Sequence, residues 1–488
     1  MNLTQNPHHE RRWLILGVIA IAQLMVVLDA TIVNIALPSA QRDLGFSDDS
    51  RQWIVTAYAL AFGSLLLLGG RLGDLFGRKW AFAGGLIGFA TASAVGGAAG
   101  SFGVLVAARA TQGLFGALLA PAALALVSTT FTDPDERGKA FGVYSAISGG
   151  GAAVGLLLGG ILTETLSWRW CLYVNLLFAI PAALAAIRLL VNEARHDRPP
   201  LDLPGTATAS LGLFALVYGV SNSEMESWGD PLTIAMLAAA GLLLAGFVAI
   251  ESRVAHPLLP MRVVRDRTRG GAYLGLGLAA SGMYAAFLFL TYYMQRTKGF
   301  TPIESGLAFL PMTAAIVTTA TAVNLRLLRR FGPRPLLTAG MAFGAAGMAG
   351  LAQLTTDSSY AGHVLPALLV TGVGLGAVFA STFSTATYGV EARDTGVASA
   401  TLNTMQQVGG SVGTAVLSSI FASAMAGYAA GERATPELLG AAAVHGYTVA
   451  FWVASGIFAV GAVLVAALIR PVRVPALDPR LEPAPGRA

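Results

Sequence analysis

Fourteen predominantly apolar runs recur along the chain, at roughly 13–38, 52–70, 79–98, 103–128, 138–162, 168–190, 204–221, 230–252, 270–292, 303–325, 336–354, 363–388, 398–425 and 446–470. Nothing else in the sequence constrains the fold as strongly. About 20 apolar residues, rising ~1.5 Å each as a helix, cross the hydrocarbon core of a bilayer. Backbone groups in lipid must be satisfied internally, and a helix does this within one segment. The pattern therefore predicts an all-α integral membrane protein with fourteen transmembrane helices. Composition agrees, since only 12% of the 488 residues are charged, against about 25% in soluble proteins. The single cysteine, Cys171, excludes an internal disulfide and a cysteine-based metal cluster. The first run is too long for a signal-peptide core and no small-residue cleavage site follows it, so it is expected to remain as the first span.

An even number of spans puts both termini on one side. With the termini inside, 24 lysines and arginines fall in inner segments. Six fall outside (Arg42, Arg51, Arg169, Arg296, Lys298 and Arg433), and Arg109 lies within the fourth run. This asymmetry predicts cytoplasmic termini in a cell (inner or cytoplasmic) membrane. The net charge of +5 belongs to these loops and is not a nucleic-acid signal. The longest outer loop is expected from Met425 to about His445, and the tail from Arg470, rich in proline and arginine, is expected to be disordered.

The chain contains an internal repeat. Gly70-Arg71-Leu72-Gly73-Asp74-Leu75-Phe76-Gly77-Arg78-Lys79 follows the second run, and Leu325-Arg326-Leu327-Leu328-Arg329-Arg330-Phe331-Gly332-Pro333-Arg334 follows the tenth. Aligned without gaps, Arg, Leu, Phe and Gly recur, Lys79 meets Arg334, and the acid Asp74 becomes Arg329. The equivalence of run two with run ten implies two six-helix bundles with two inserted helices between them. The expected division is a cytoplasmic N-terminus 1–12, a bundle 13–190, a linker with the two extra spans 191–269, a second bundle 270–470 and a tail 471–488. Transporters are commonly built from such repeats, with the substrate site at the repeat interface near the midplane.

Asp29 is the one acid well inside an apolar run. Ionisable groups are costly there and usually serve a pathway facing a cavity, although a carboxylate that only caps or pairs with a neighbouring helix is the plainer alternative. Thr31 and Asn34 follow it before Pro38. Arg109 is placed at a matching depth. Asp29 precedes the expected end of its helix near Leu37 by ~12 Å, and Arg109 follows the start of the fourth helix near Phe102 by ~10 Å. The two are expected to form the proton-coupling centre. A cation beside a buried carboxylate favours its ionised form, and an apolar surround favours the protonated one, so a changing distance could load and unload a proton. The bland alternative is a permanent structural ion pair.

Polar amides avoid lipid, so Asn34, Gln112, Asn403 and Gln406 are candidates for a substrate cavity, with Tyr58 and Tyr284 as aromatic ones. Gly151, Gly155 and Gly159, spaced by four, share one helix face, which lets a partner helix approach closely and is expected to let two halves rock against each other. Gly372-x-Gly374-x-Gly376 lies inside an apolar run with no preceding strand and reads as packing rather than a nucleotide loop. No P-loop is present, so no cofactor is expected and the proton gradient, not ATP, is the expected driving force. An intramembrane enzyme would need His-Glu-x-x-His or close paired carboxylates, and a sensor would need a soluble output domain. The sequence offers neither.

Gly70, Arg71, Asp74, Gly77, Arg78 and Lys79 carry a resemblance to the signature loop of the major facilitator superfamily, Gly-x-Leu-x-Asp-x-x-Gly-Arg-Lys, matched at each of those positions. Leu28 to Pro38 resembles the first-helix signature of its fourteen-helix drug:proton antiporter branch. Leu105-x-x-x-Arg109-x-x-Gln112-Gly113 is similar to the fourth-helix motif, with Phe115 where a later glycine is usual. Gly151-x-x-x-Gly155-Leu156-x-x-Gly159-Gly160 resembles the fifth-helix antiporter motif, with Leu156 where a proline is usual. Trp168-Arg169-Trp170 with Asn175 also looks like this branch. The resemblance implies proton-coupled export, by alternating access, of a small amphipathic or cationic molecule, with a symporter or importer of a metabolite as the alternative. It implies that the Gly70–Lys79 loop is a cytoplasmic gate in which Asp74 faces the N-terminus of the helix beginning near Thr395 and Gly396. The expected partners are the substrate, protons and lipid, and the expected working unit is a monomer.

Overall fold

The structure is a computed structural model that describes residues 9–46, 48–191, 201–388, 390–391, 394–430 and 435–470. Fourteen long helices follow the fourteen apolar runs: α1 (Arg12–Leu44), α2 (Asp48–Phe76), α3 (Arg78–Gly97), α4 (Phe102–Thr130), α5 (Pro134–Thr165), α6 (Trp170–Leu189), α7 (Leu203–Met225), α8 (Pro231–Glu251), α9 (Arg267–Tyr292), α10 (Pro302–Ala322), α11 (Pro333–Leu351), α12 (Leu365–Thr387), α13 (Thr395–Ala429) and α14 (Pro436–Leu468). Among the described residues, twelve helices are long and apolar enough to cross a membrane, and α5 and α11 are the long helices outside that set. A short helix, Met261–Arg265, precedes α9. Residues 1–8, most of the 193–202 loop and the tail from 471 lie outside the described residues.

Local chemistry sets the helix ends. Ser101, Asp133, Asp202, Asp230, Asp266, Thr301 and Thr435 each cap a helix by accepting a backbone N–H of its first turn. Such caps contribute about 0.5–2 kcal/mol each. Asp394, at the start of α13, makes no such bond.

Two expectations fail at the ends. Pro38 does not stop α1, which runs on to Leu44 and closes on Gly45 in the left-handed region (φ 70°). Proline is tolerated in membrane helices because neighbouring groups take up the freed backbone. The outer loop expected between Met425 and His445 is mostly helix, because α13 reaches Ala429 and α14 starts at Pro436. Alanine, leucine and glutamate there favour helix without raising hydropathy enough to extend the apolar run, and Thr435-Pro436 supplies a cap and a first helical residue.

The pairings show the repeat in three dimensions. In the first six helices α1 packs on α4, α5 and α6, α2 on α4, and α3 on α4 and α6. In the last six, α9 packs on α12, α13 and α14, α10 on α12, and α11 on α12 and α14. Between the sets, α2 meets α13 and α5 meets α10, again a symmetric pair. The inserted α7 lies against both α2 and α13, while α8 packs chiefly on α7. The repeat also holds at single residues: the aligned Gly77 and Gly332 both have positive φ (98° and 77°) and both begin the next helix. An L side chain there would be strained.

Candidate functional site: a buried ion-pair cluster and an interhelical latch

Asp29 of α1 and Arg109 of α4 meet in a salt bridge of 2.6 Å, at 0% and 1% exposure. Polar groups from the neighbouring helices contact both. Gln112, one turn along α4, accepts from Arg109 at 2.8 Å and donates to Asp29 Oδ1 at 3.0 Å. It also donates to Ser93 Oγ of α3 at 2.7 Å. Asn175 of α6 donates to Asp29 Oδ1 at 2.7 Å and to Ser93 at 3.3 Å. From α2, the Ile54 carbonyl accepts from Arg109 Nε at 3.3 Å, and the Tyr58 ring lies 4.4 Å beneath its guanidinium. Five helices of the first half therefore converge on one carboxylate. The carboxylate accepts three hydrogen bonds, one of them from the Arg109 cation, the arrangement a desolvated charge requires.

Among the described residues, the second half has no such cluster at the repeated place. Carried along in register with the aligned loops, Ile54 corresponds to Phe309. There Phe309 lines an apolar void of about 10 Å³ with Met283, Phe287, Met312, Leu351 and Leu368.

The Gly70–Lys79 loop makes the second candidate site. Asp74 is buried, and its Oδ1 accepts the backbone N–H of Gly396, in the first turn of α13, at 3.3 Å and faces Arg78 at 3.4 Å. The two backbones touch closely. A Cβ on Gly70 would lie 2.6 Å from the Ala400 Cβ, and one on Gly396 would lie 2.7 Å from the Asp74 carboxylate. Arg71 is buried beside them, and Lys79 lies over the Trp80 ring. The repeated position works with its charges exchanged: Arg329 pairs with Asp135, in the first turn of α5. Arg137 adds hydrogen bonds of 3.2 Å to the carbonyl and hydroxyl of Thr387 at the end of α12. On this face the halves are joined by contacts in both directions.

The glycine row is placed differently from the expectation. Cβ atoms at Gly151, Gly155 and Gly159 would meet Val27, Thr31 and Ile32, so their face lies against α1 within the first half. Only Gly160 of the motif faces the other half, at Ile303 of α10. Four-residue spacing predicts a close partner but not which helix supplies it. The cavity candidates also divide. Tyr58 and Gln112 belong to the ion-pair cluster. Asn403 donates to Ser399 of its own helix at 2.9 Å. Tyr284, 36% exposed, lies against Gly410 of α13, and Gln406 is half-buried. The side chain of Asn34 lies outside the described residues. Gly372, Gly374 and Gly376 each face a neighbouring backbone, which is close helix packing.

Sequence reasoning missed Ser93, a small residue with no signal in a run of alanines and glycines, and the Ile54 carbonyl. It also missed a second polar cluster, in which Tyr144 donates to Gln23 at 3.0 Å and Gln23 donates to Ser148 at 3.1 Å. Gln23 is an amide in an apolar run, the same signal that marked Gln112. At the opposite face, Arg169 and Trp168 both donate to Asp43, at 2.9 and 3.0 Å, and Arg169 also donates to the carbonyls of Gly97 and Ala99, tying the turns of the first half together there.

The family description Major Facilitator Superfamily matches residues 19–414. The puromycin resistance protein pur8 of Streptomyces alboniger is 51% identical over 462 residues, which span 94% of this chain and 92% of that protein. The cephamycin export protein CmcT of Amycolatopsis lactamdurans is 39% identical over 409 residues, 83% of this chain and 84% of that one. Among solved structures, the human organic anion transporter MFSD10 (TETRAN) superposes with a TM-score of 0.63 at 17% identity, over 93% of this chain and 99% of that one. That last likeness is one of fold.

Proposed function

Because this chain belongs to the Major Facilitator Superfamily, we propose that it exports a small amphipathic or cationic antibiotic from the cell in exchange for protons. The observation that carries the reading is the fully buried Asp29–Arg109 pair with the hydrogen bonds that Gln112 and Asn175 donate to its carboxylate. A carboxylate held this way can exchange its cation for a proton. Ionised, it is paired with Arg109. Protonated, it needs no cation and releases Arg109 to Gln112 and the Ile54 carbonyl. A proton arriving from outside and a substrate cation arriving from inside compete for the same oxygens, so occupancy by one expels the other. Asn175 and Gln112 keep the carboxylate oriented through both states.

The cargo class rests on the relatives named for puromycin resistance and cephamycin export. The driving force is the proton gradient, with no ATP site in the sequence. Inner termini and a working monomer complete the proposal.

Asp29→Asn tests it without opening a cavity. Removing either partner of the pair leaves the other charge buried and unpaired at about 3–5 kcal/mol, so membrane content and melting temperature are measured beside transport. Everted vesicles carrying wild type are expected to accumulate a labelled antibiotic from a panel when a pH gradient is imposed. Asp29→Asn is expected to insert normally, to retain binding and to lose uphill accumulation. Uphill accumulation at the wild-type rate in that variant would exclude Asp29 as the coupling group.

A further inference from the structure

Two carboxylates compete for one backbone N–H at the start of α13. Asp394 occupies the position from which an aspartate ordinarily accepts the N–H of the second or third helical residue. Here that second residue is Gly396, and its N–H is taken by Asp74 of the other half. Asp394 makes no capping bond, and its backbone (φ −110°, ψ 2°) is turned from the extended geometry a capping residue adopts. Its carboxylate, 5% exposed, points instead to Arg262, whose guanidinium donates to Oδ2 at 2.5 Å.

Arg262 is not part of either six-helix set. It sits on Met261–Arg265, the short helix that follows the inserted pair. That segment is held in place: Glu251, at the end of α8, accepts the backbone N–H groups of Leu258 and Leu259 at 3.2 and 2.9 Å, and Leu258 and Val263 are buried.

From this geometry we infer that Arg262 sets the balance of the latch. While Arg262 holds Asp394 aside, the Gly396 N–H is free for Asp74 and the two halves stay joined. When Asp394 is released it caps its own helix, takes that N–H and leaves Asp74 without this donor, which favours the parted state. The inserted helix pair thereby acts on the gate through its linker. The inference rests on the latch reading of Asp74.

The experiment uses full-length protein lacking Cys171, with a single reporter, Thr404→Cys. Thr404 is buried, one turn deeper than Ala400 on the α13 face that meets Gly70 of α2. Labelling by an impermeant thiol reagent from the inner side reports parting of the halves. Arg262→Gln is expected to raise the labelling rate about fivefold, within the range a helix cap spans. Arg262→Lys, which keeps the charge, is expected to stay near wild type. Adding Asp394→Ala, which cannot cap, to Arg262→Gln should return labelling to the wild-type rate, whereas adding Asp394→Asn, which can cap, should leave it raised. If Asp74→Asn raises labelling but Arg262→Gln does not, or if Asp394→Ala fails to reverse Arg262→Gln, the competition is refuted and the latch stands. If Asp74→Asn leaves labelling unchanged, the latch reading falls and this inference with it.

Discussion

At Gly155 the first half has no room for a side chain. A Cβ there would lie 2.0 Å from the Thr31 hydroxyl and 3.2 Å from the Leu28 carbonyl. Thr31 already donates to the Leu28 carbonyl at 3.1 Å, so it has nowhere to swing. Overpacking of this kind costs about 1–3 kcal/mol or more, and here it would push α5 from the helix that carries Asp29. Gly155→Val is expected to lower the melting temperature of the detergent-solubilised protein and to abolish transport. Adding Thr31→Ala should recover part of the stability. A Gly155→Val protein as stable as wild type would show that α1 and α5 are further apart than described. The same scale explains why Arg109 resists replacement: its guanidinium serves Asp29, Gln112, the Ile54 carbonyl and the Tyr58 ring at once. Lysine, a point charge, cannot make that set of contacts.

Among elements, the turns after α2 and α10 show how one sequence unit was kept in backbone and changed in charge. Gly77 and Gly332 make the same positive-φ entry to the next helix. Asp74, however, meets the amide end of α13 directly, whereas Arg329 needs Asp135 on α5 as its partner. An acid suits a helix N-terminus, where the partial charge is positive, and contributes about 0.3–1 kcal/mol when exposed and up to ~2 when partly buried. An arginine does not, and α5 accordingly carries Asp135 and Glu136 in its first turn. Asp74→Asn should weaken the latch without unfolding either bundle. The expected result is a normal membrane content and a slower turnover in vesicle transport; unchanged turnover would mean that the contact plays no part in the cycle.

Across the whole molecule, the paired halves and the inserted α7 and α8 give a topology that labelling can check. On a Cys171-free background, single cysteines in the 193–202 loop are expected to react only from the inner side, and reaction from outside would refute the orientation. How much of this was legible beforehand follows from what each signal depends on. An all-helical membrane fold was readable because bilayer thickness imposes a run length on each span; of the fourteen spans expected, twelve helices among the described residues are long and apolar enough to cross, and α5 and α11 fall short. The repeat was readable because Gly77 and Gly332 answer a backbone demand that only glycine meets cheaply. Asp29 and Arg109 were readable as a pair because charges in apolar runs are costly and depth can be counted along a helix. Facing could not be counted. Whether Gly151, Gly155 and Gly159 lie on α1 or on the other half, that Ser93 and Asn175 complete the shell of Asp29, and that Arg262 reaches Asp394 across 132 positions all depend on how helices rotate and pack. The sequence alone determined the all-helical membrane fold, its repeat and the costly charges, since these are properties of single segments in lipid. Only the tertiary structure decided which side chains share a site, because that is set by contacts between segments far apart in the chain.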